Sequence, residues 1–228
     1  MNPTLQASEF SDPDIGDTQF ASEWVISQAS NNQVVVDTGE DTTDKASYDV
    51  SELQSLTIYR WAVRYEDSHG NWSDYSTSAL FTTGQNTFQP DLWIADWGKN
   101  DWRGKTLYNA NGDNQSFSEI VKPKKVKKFK IILQNNGTAA DTFILSCRSV
   151  IAAGFVVEYF EGAKDISPKI RDGSFEVTLK PRKKRLIFVS IRATKAVESN
   201  VIQNCLITAT SLHDSSKLDA VQASVTTP

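Results

Sequence analysis

The sequence predicts an all-β protein folded as two sandwiches in tandem. Three observations predict it. Short runs of β-branched and aromatic residues recur along the 228 residues, broken by Gly, Asn, Asp and Pro. No segment keeps a 3.6-residue apolar period over three helical turns. The sign of the charge changes near residue 88: residues 1–88 hold 3 basic and 14 acidic side chains, a net of −11, and residues 89–228 hold 21 and 14, a net of +7. Such asymmetry marks a domain boundary and bears on partners. The resulting division is a first sandwich over 1–84, a linker over 85–90 and a second sandwich over 91–228.

The strands follow in order. In the first half they are expected over 23–27, 33–36, 57–65 and 79–82. Gly84 and Pro90 bracket the linker. The next domain opens at 91–94, and further strands are expected over 129–133, 142–147, 155–160, 174–179, 186–191 and 201–209. Period two assigns the faces. Phe129, Ile131 and Leu133 point one way, and Lys128, Lys130 and Ile132 the other. Ile187, Val189 and Ile191 alternate with Phe188, Ser190 and Arg192. Phe143, Leu145 and Cys147 share one inward face.

Hydrophobic residues make up 39 % and charged residues 23 % of the chain, ordinary for a soluble globular protein. No apolar run approaches the roughly 20 residues of a membrane span. The first residues, from Met1 to Gln6, lack the basic region and apolar core of a secretory signal. Either the protein is intracellular, or it is a piece of a longer exported chain.

Leu53, Ser55, Thr57 and Tyr59 lie at alternate positions. In this the segment resembles the tyrosine corner of fibronectin type III domains, with Ser55 where that family has proline. The resemblance covers about residues 3–84. It implies that the Tyr59 ring enters the core and its hydroxyl bonds upstream backbone. Trp61, Val63 and Tyr65 then face inward, and Arg60, Arg64 and Glu66 outward. Trp72, Ser73, Tyr75 and Ser76 resemble the Trp-Ser box of cytokine-receptor-type modules, with Tyr75 replacing the second Trp. A cation–π ladder of Trp72 and Tyr75 against Arg64 and Arg60 follows. The segment 4–10 looks like the second strand of such a domain, and Ser22 to Ser27 like the third. The first strand would then lie upstream of Met1. This form of the module looks like those of large bacterial cell-surface and secreted polypeptides. The resemblance therefore implies an extracellular or cell-surface piece of a longer chain. Asp12, Asp14 and Asp17 are candidate calcium ligands, because hard cations prefer clustered oxygens. Otherwise they form an Asp-rich turn. No other cofactor is expected.

The second half resembles immunoglobulin-like repeats of bacterial surface proteins over about 90–227. The residues that carry this are the turns at Asn111-Gly112 and Asn136-Gly137 and the strand opening Asp141-Thr142-Phe143. Two basic runs stand out. The first holds Lys122, Lys124, Lys125, Lys127, Lys128 and Lys130; the second holds Arg182, Lys183, Lys184 and Arg185. In an immunoglobulin-like strand order both lie at one end of the sandwich, a basic pole for an anionic partner. The candidates are an acidic glycan or polymer, or the acidic half of another copy. Aromatic residues are not interleaved with these lysines as a stacking platform needs, so nucleic acid is not expected. Trp97 and Trp102, in a polar loop, are candidate glycan contacts. Cys147 and Cys205 are either two buried thiols or a disulfide between strands. His69 and His213 each have a local acid, Asp67 and Asp214, and nothing resembles a nucleophile elbow. The expected role is non-catalytic: spacing and adhesion-type binding within a larger chain. The rivals are an accessory module of a polysaccharide-active enzyme and a piece of a self-assembling surface array.

Overall fold

The computed structural model describes residues 3–228. They form two compact units that divide between Asn86 and Thr87. Both are β-sandwiches, and the first is immunoglobulin-like.

In the first unit β1 (Thr4–Gln6) pairs with β4 (Ser47–Asp49) in a two-stranded antiparallel sheet. Facing it is a four-stranded sheet in the order β3 (Val34–Asp37), β2 (Gln19–Gln28), β5 (Ile58–Asp67) and β6 (Ala79–Thr82). Leu5, Trp24, Ile26, Val50, Tyr59 and Val63 are buried between them. Trp24 stacks between Tyr48 and Trp61, at ring-centre distances of 6.1 and 5.5 Å. Its indole N–H donates to the Asp44 carbonyl at 2.7 Å, so the ring is buried without an orphaned donor. The Tyr59 hydroxyl accepts from the Gln54 N–H at 3.0 Å and ties the β5 entry to the chain before it. Glu66, placed outward by alternation, is buried, and burial raises its carboxyl above the usual range. The strand expected upstream of Met1 lies outside the described residues.

The second unit has two five-stranded sheets. One runs β12 (Lys164–Asp165), β11 (Phe155–Glu161), β14 (Lys184–Ala193), β9 (Val126–Asn135), β7 (Pro90–Asp96). The other runs β13 (Phe175–Leu179), β10 (Asp141–Ser146), β15 (Ile202–Ser211), β16 (Leu218–Thr226), β8 (Ser116–Ile120). Only β8 and β16 pair in parallel. The inward residues of β9 and β14, from Phe129 to Leu133 and from Ile187 to Ile191, are fully buried against Phe143, Leu145 and Ile207 of the facing sheet. A short helix, α1 (Ser167–Asp172), closes on Gly173 in the left-handed region at φ 74°. The expected linker is shorter than 85–90. Thr87 N–H donates to the Thr138 hydroxyl at 2.9 Å, and Asn136 N–H to the Gln89 carbonyl at 2.8 Å. A Cβ at Gly137 would run into the Thr87 carbonyl, so the close approach needs glycine there.

The basic pole does not form. Each basic run contains a Lys-Pro turn of the same kind. Lys125 N–H closes on the Lys122 carbonyl at 3.0 Å with Lys124 at φ 65°, and Lys183 N–H on the Lys180 carbonyl at 3.1 Å with Arg182 at φ 62°. Proline sets the first turn angle, and a basic residue takes the left-handed position. The turns cap opposite ends of one antiparallel pair. Lys124 and Lys125 bond Ala193, at the end of β14, while Arg182 and Lys183 bond Asn135, at the end of β9. Lys127 lies opposite Ile191 and Lys184 opposite Gln134. The two runs are therefore about 23 Å apart along β9. The strand after the second run pairs directly with β9 in the same sheet, which places its leading turn at the far end.

Candidate functional site

The outer face of the β12-β11-β14-β9-β7 sheet collects most of the sequence-singled side chains of the second unit. Alternation puts Lys128, Lys130 and Ile132 of β9 on it, with Leu186 and Phe188 of β14 and Trp93 of β7. The chain after β7 doubles back along that edge strand. Ile94 and Arg103 exchange both backbone hydrogen bonds at 2.9 Å, which brings Trp102 beside Trp93, ring centres 6.3 Å apart and edge-on. Trp97 N–H donates to the Lys128 carbonyl at 3.1 Å, and its ring meets Phe188 at 4.8 Å, also edge-on.

Each indole carries a lysine. The Lys128 ammonium lies 5.3 Å from the Trp97 ring centre, and that of Lys130 5.2 Å from Trp102. Lys105 and Lys184 both lie over Trp93, at 5.2 and 4.2 Å. Such contacts contribute about 0.5–1 kcal/mol at exposed sites, and the lysine stems shield the rings. Trp93 is 6 % exposed, Trp97 46 % and Leu186 41 %. Aromatic and basic groups are thus interleaved after all, on separate strands rather than along one segment. Lys127 and Arg185 are different: they pair with Glu119 at 2.9 Å and Glu161 at 3.0 Å. Among the described residues no carboxylate pairs with Lys128, Lys130 or Lys184. Trp93 and Phe188 complete this face and were not singled out as contacts from sequence. Alternation around the buried Leu92 and Ile94 is the signal that finds Trp93.

Two buried carboxylates pin the loop that carries Trp102. Asp91 accepts from Thr106 N–H at 3.0 Å and from the Asn136 amide at 2.7 Å, and burial raises its carboxyl above the usual range. Asp219 accepts from the backbone N–H groups of Leu92 at 2.7 Å and Asn109 at 3.2 Å, and from the Gln115 amide at 2.9 Å. Burial pushes its carboxyl up to about 6, against the pull of those donors.

In the first unit the Arg64 guanidinium sits between Trp72 and Tyr75, at 4.7 and 4.8 Å from their ring centres. Its Nε donates to Glu23 at 2.6 Å. Arg60 stands outside this ladder and donates to the Ala29 carbonyl at 3.2 Å. It points from the same face, but Trp72 and Tyr75 reach only the Arg64 end of β5. The carboxylate oxygens of Asp12, Asp14 and Asp17 lie within 4.8 Å of one another, as do the ligand atoms of Asp17, Asp67 and His69. These are the groups that could hold a cation. Asp67 is largely committed already: it accepts from the N–H groups of His69 and Asn71 and from the Asn71 amide, which holds its carboxyl below the usual range.

The histidine rings do not use the acids next to them in sequence. His69 faces Asp17 at 3.2 Å, and His213 faces Asp141 at 2.7 Å while stacking on Phe88 at 4.9 Å. Asp214 instead accepts from Ser216, closing its own turn. Cys147 and Cys205 are free thiols, both buried. Continuing the β10–β15 register sets Cys147 opposite Ile207, diagonal to Cys205. Hydrogen bonds from Cys205 and Tyr159 draw the Cys147 thiol down, and the same contact with burial pushes Cys205 up.

Residues 9–87 match the family described as the Rha78A-like, N-terminal immunoglobulin domain. No curated protein matches the chain. Among solved structures, the α-L-rhamnosidase of Dictyoglumus thermophilum is similar at 15 % identity over 97 % of this chain and 26 % of that one, with a TM-score of 0.33. A family 123 glycoside hydrolase of Clostridium perfringens matches at 12 % identity over 61 % of this chain and 27 % of that one, with a TM-score of 0.39. The CupB6 tip adhesin of Pseudomonas aeruginosa matches at 10 % identity over 91 % and 78 %, with a TM-score of 0.37. The chain spans about a quarter of the length of the two hydrolases. No helix among the described residues is long and apolar enough to cross a membrane.

Proposed function

We propose that this chain is a non-catalytic pair of sandwiches in a larger bacterial surface or secreted protein, where it spaces other domains and presents an adhesion-type face. The observation that carries the reading is the outer face around Trp97, where indoles lie beside lysines that pair with no carboxylate among the described residues. A second reading, an accessory part of a secreted polysaccharide-active enzyme, is favoured by the match of residues 9–87 to a rhamnosidase-type N-terminal domain. On that reading the same face meets glycan. The Tyr59–Gln54 bond supports a fibronectin type III type for the first unit.

The test incubates the whole chain with insoluble polysaccharides and, separately, with an aryl α-L-rhamnoside. The expected result is co-sedimentation that Trp97→Ala with Trp102→Ala abolishes, and no turnover of the rhamnoside. Turnover that survives repurification overturns the non-catalytic reading. Sedimentation velocity at low and high salt tests the array alternative, which requires self-association that dissolves with salt. For calcium at Asp12, Asp14 and Asp17, a rise in melting midpoint lost in Asp14→Asn supports the site. Identical curves in calcium and chelator end it.

A further inference from the structure

The contacts on the outer face form a row. Lys128, Lys130, Ile132 and Gln134 succeed one another along β9 on one side of the sheet. Trp97 sits at the Lys128 end, Trp102 by Lys130, and Trp93 opposite Ile132, followed by Lys184 opposite Gln134. From Lys128 to Gln134 the row spans about 20 Å. Indole and ammonium alternate along it. An apolar centre of Ile132, Leu186 and Phe188 lies beside them.

We propose that this row is a track for a linear acidic polysaccharide, with a sugar ring on Trp97 and Phe188 and acid groups among Lys128, Lys130 and Lys184. The inference rests on the reading of the chain as a binding module and supplies its ligand class. Charge complementarity selects an anion, because among the described residues no carboxylate pairs with these ammonium groups. By register Glu158 and Asp165 lie on the same face, two and three strands from β9, while Asp91, opposite Gln134, is buried and held by Thr106 and Asn136. The linear arrangement selects a polymer. The rings select a sugar over a nucleobase. Stacking of successive bases needs a run of free ring faces. Here Trp93 is covered by two lysines, and Trp102 and Trp97 are packed edge-on by their neighbours. A pyranose lays an apolar C–H face on a half-exposed indole and keeps its hydroxyl rim in water. Lysine also suits acids spread along a flexible chain, whereas guanidinium forks are the usual grip on phosphate.

The experiment is affinity electrophoresis of the whole chain through gels containing alginate, with chelator present. A neutral glucan gel and a single-stranded DNA titration run beside it. The expected result is retardation by alginate at low salt that fades at high salt, with little retardation by the glucan. Lys128→Glu with Lys184→Glu should weaken binding by at least about tenfold. Arg182→Glu with Lys183→Glu changes net charge equally but lies in the turn off the row, and should weaken it by less than about twofold. Trp97→Ala should weaken it while leaving the melting curve in place. Equal loss in the two double variants, or no retardation at all, overturns the proposal. So does DNA binding that is tighter than alginate binding and depends on Trp97. Capture by the neutral glucan alone keeps the binding-module reading and sinks the acidic ligand. Rhamnoside turnover would do the reverse.

Discussion

Both units place cations on aromatic rings, and they do it in opposite ways. In the first, one guanidinium is shared by Trp72, Tyr75 and Glu23, so its charge and its ring contacts are all satisfied within the unit. In the second, lysines spread over three indoles, and among the described residues no carboxylate pairs with Lys128, Lys130 or Lys184, although Lys130 donates to the Lys99 carbonyl and the Asn100 side chain. The first arrangement holds β5 and β2 to the segment after them and leaves little to offer a partner. The second contributes little to folding and leaves a field that a partner can answer. The same chemistry is a staple in one place and a surface in the other, and the neutralising carboxylate makes the difference.

The largest expected effect that sharpens this contrast is a difference in pH response. Asp219, which pins the loop beside the indole row, has a folded pKa near 6 against 3.8 in the unfolded chain. The folded state therefore holds its proton more tightly. Its contribution is full below about 4 and is lost as pH rises through about 6, for about 3 kcal/mol. Asp67 in the first unit is lowered, so its contribution is present above the ordinary carboxylate range and lost as pH falls through its folded pKa. Glu66, raised by burial, opposes it in part. Calorimetry with resolved transitions should show the second unit weakening between pH 4 and 7 (about 3 kcal/mol at most) and the first weakening only in stronger acid. Asp219→Asn should flatten the second slope; a slope that persists would assign it to other groups.

Next in size is the staple itself. Arg64→Ala should lower the melting transition of the first unit, because it releases two rings and leaves Glu23, which is largely buried, without its partner. Lys128→Ala should move the second transition by about 0.5 kcal/mol or less, as for an ordinary surface change. A Lys128→Ala cost as large as that of Arg64→Ala would break the comparison. The smallest effects are gains. Lys124→Gly and Arg182→Gly should each stabilise the second unit by about 0.5–1 kcal/mol, since glycine accepts the left-handed angle that both residues now bear. Denaturant midpoints at constant slope would register it.

Much of the fold could be read from the chain. Phe129, Ile131, Leu133, Ile187, Val189 and Ile191 face inward because alternation on a pleated strand is a local rule, and their burial is complete. The Tyr59 hydroxyl bond is equally local, five residues from its partner. The candidate site was only partly legible. Trp97 and Trp102 stood out as aromatic residues in a polar loop. Their union with Trp93, Phe188 and Lys184 depends on strands that are distant in sequence. The basic runs show the same limit. Composition marks them, but whether they meet depends on which strand β14 chooses as its neighbour.

The sequence by itself determined that the chain is all β, that it changes charge between its halves, and which side of each strand is apolar. These follow from side-chain period and composition, which neighbours along the chain settle among themselves. Only the tertiary structure decided that β14 lies beside β9. That pairing parts the two basic turns and lines up the lysines with the indoles. The order of strands in a sheet is chosen by packing between residues far apart in sequence, where no local pattern reaches.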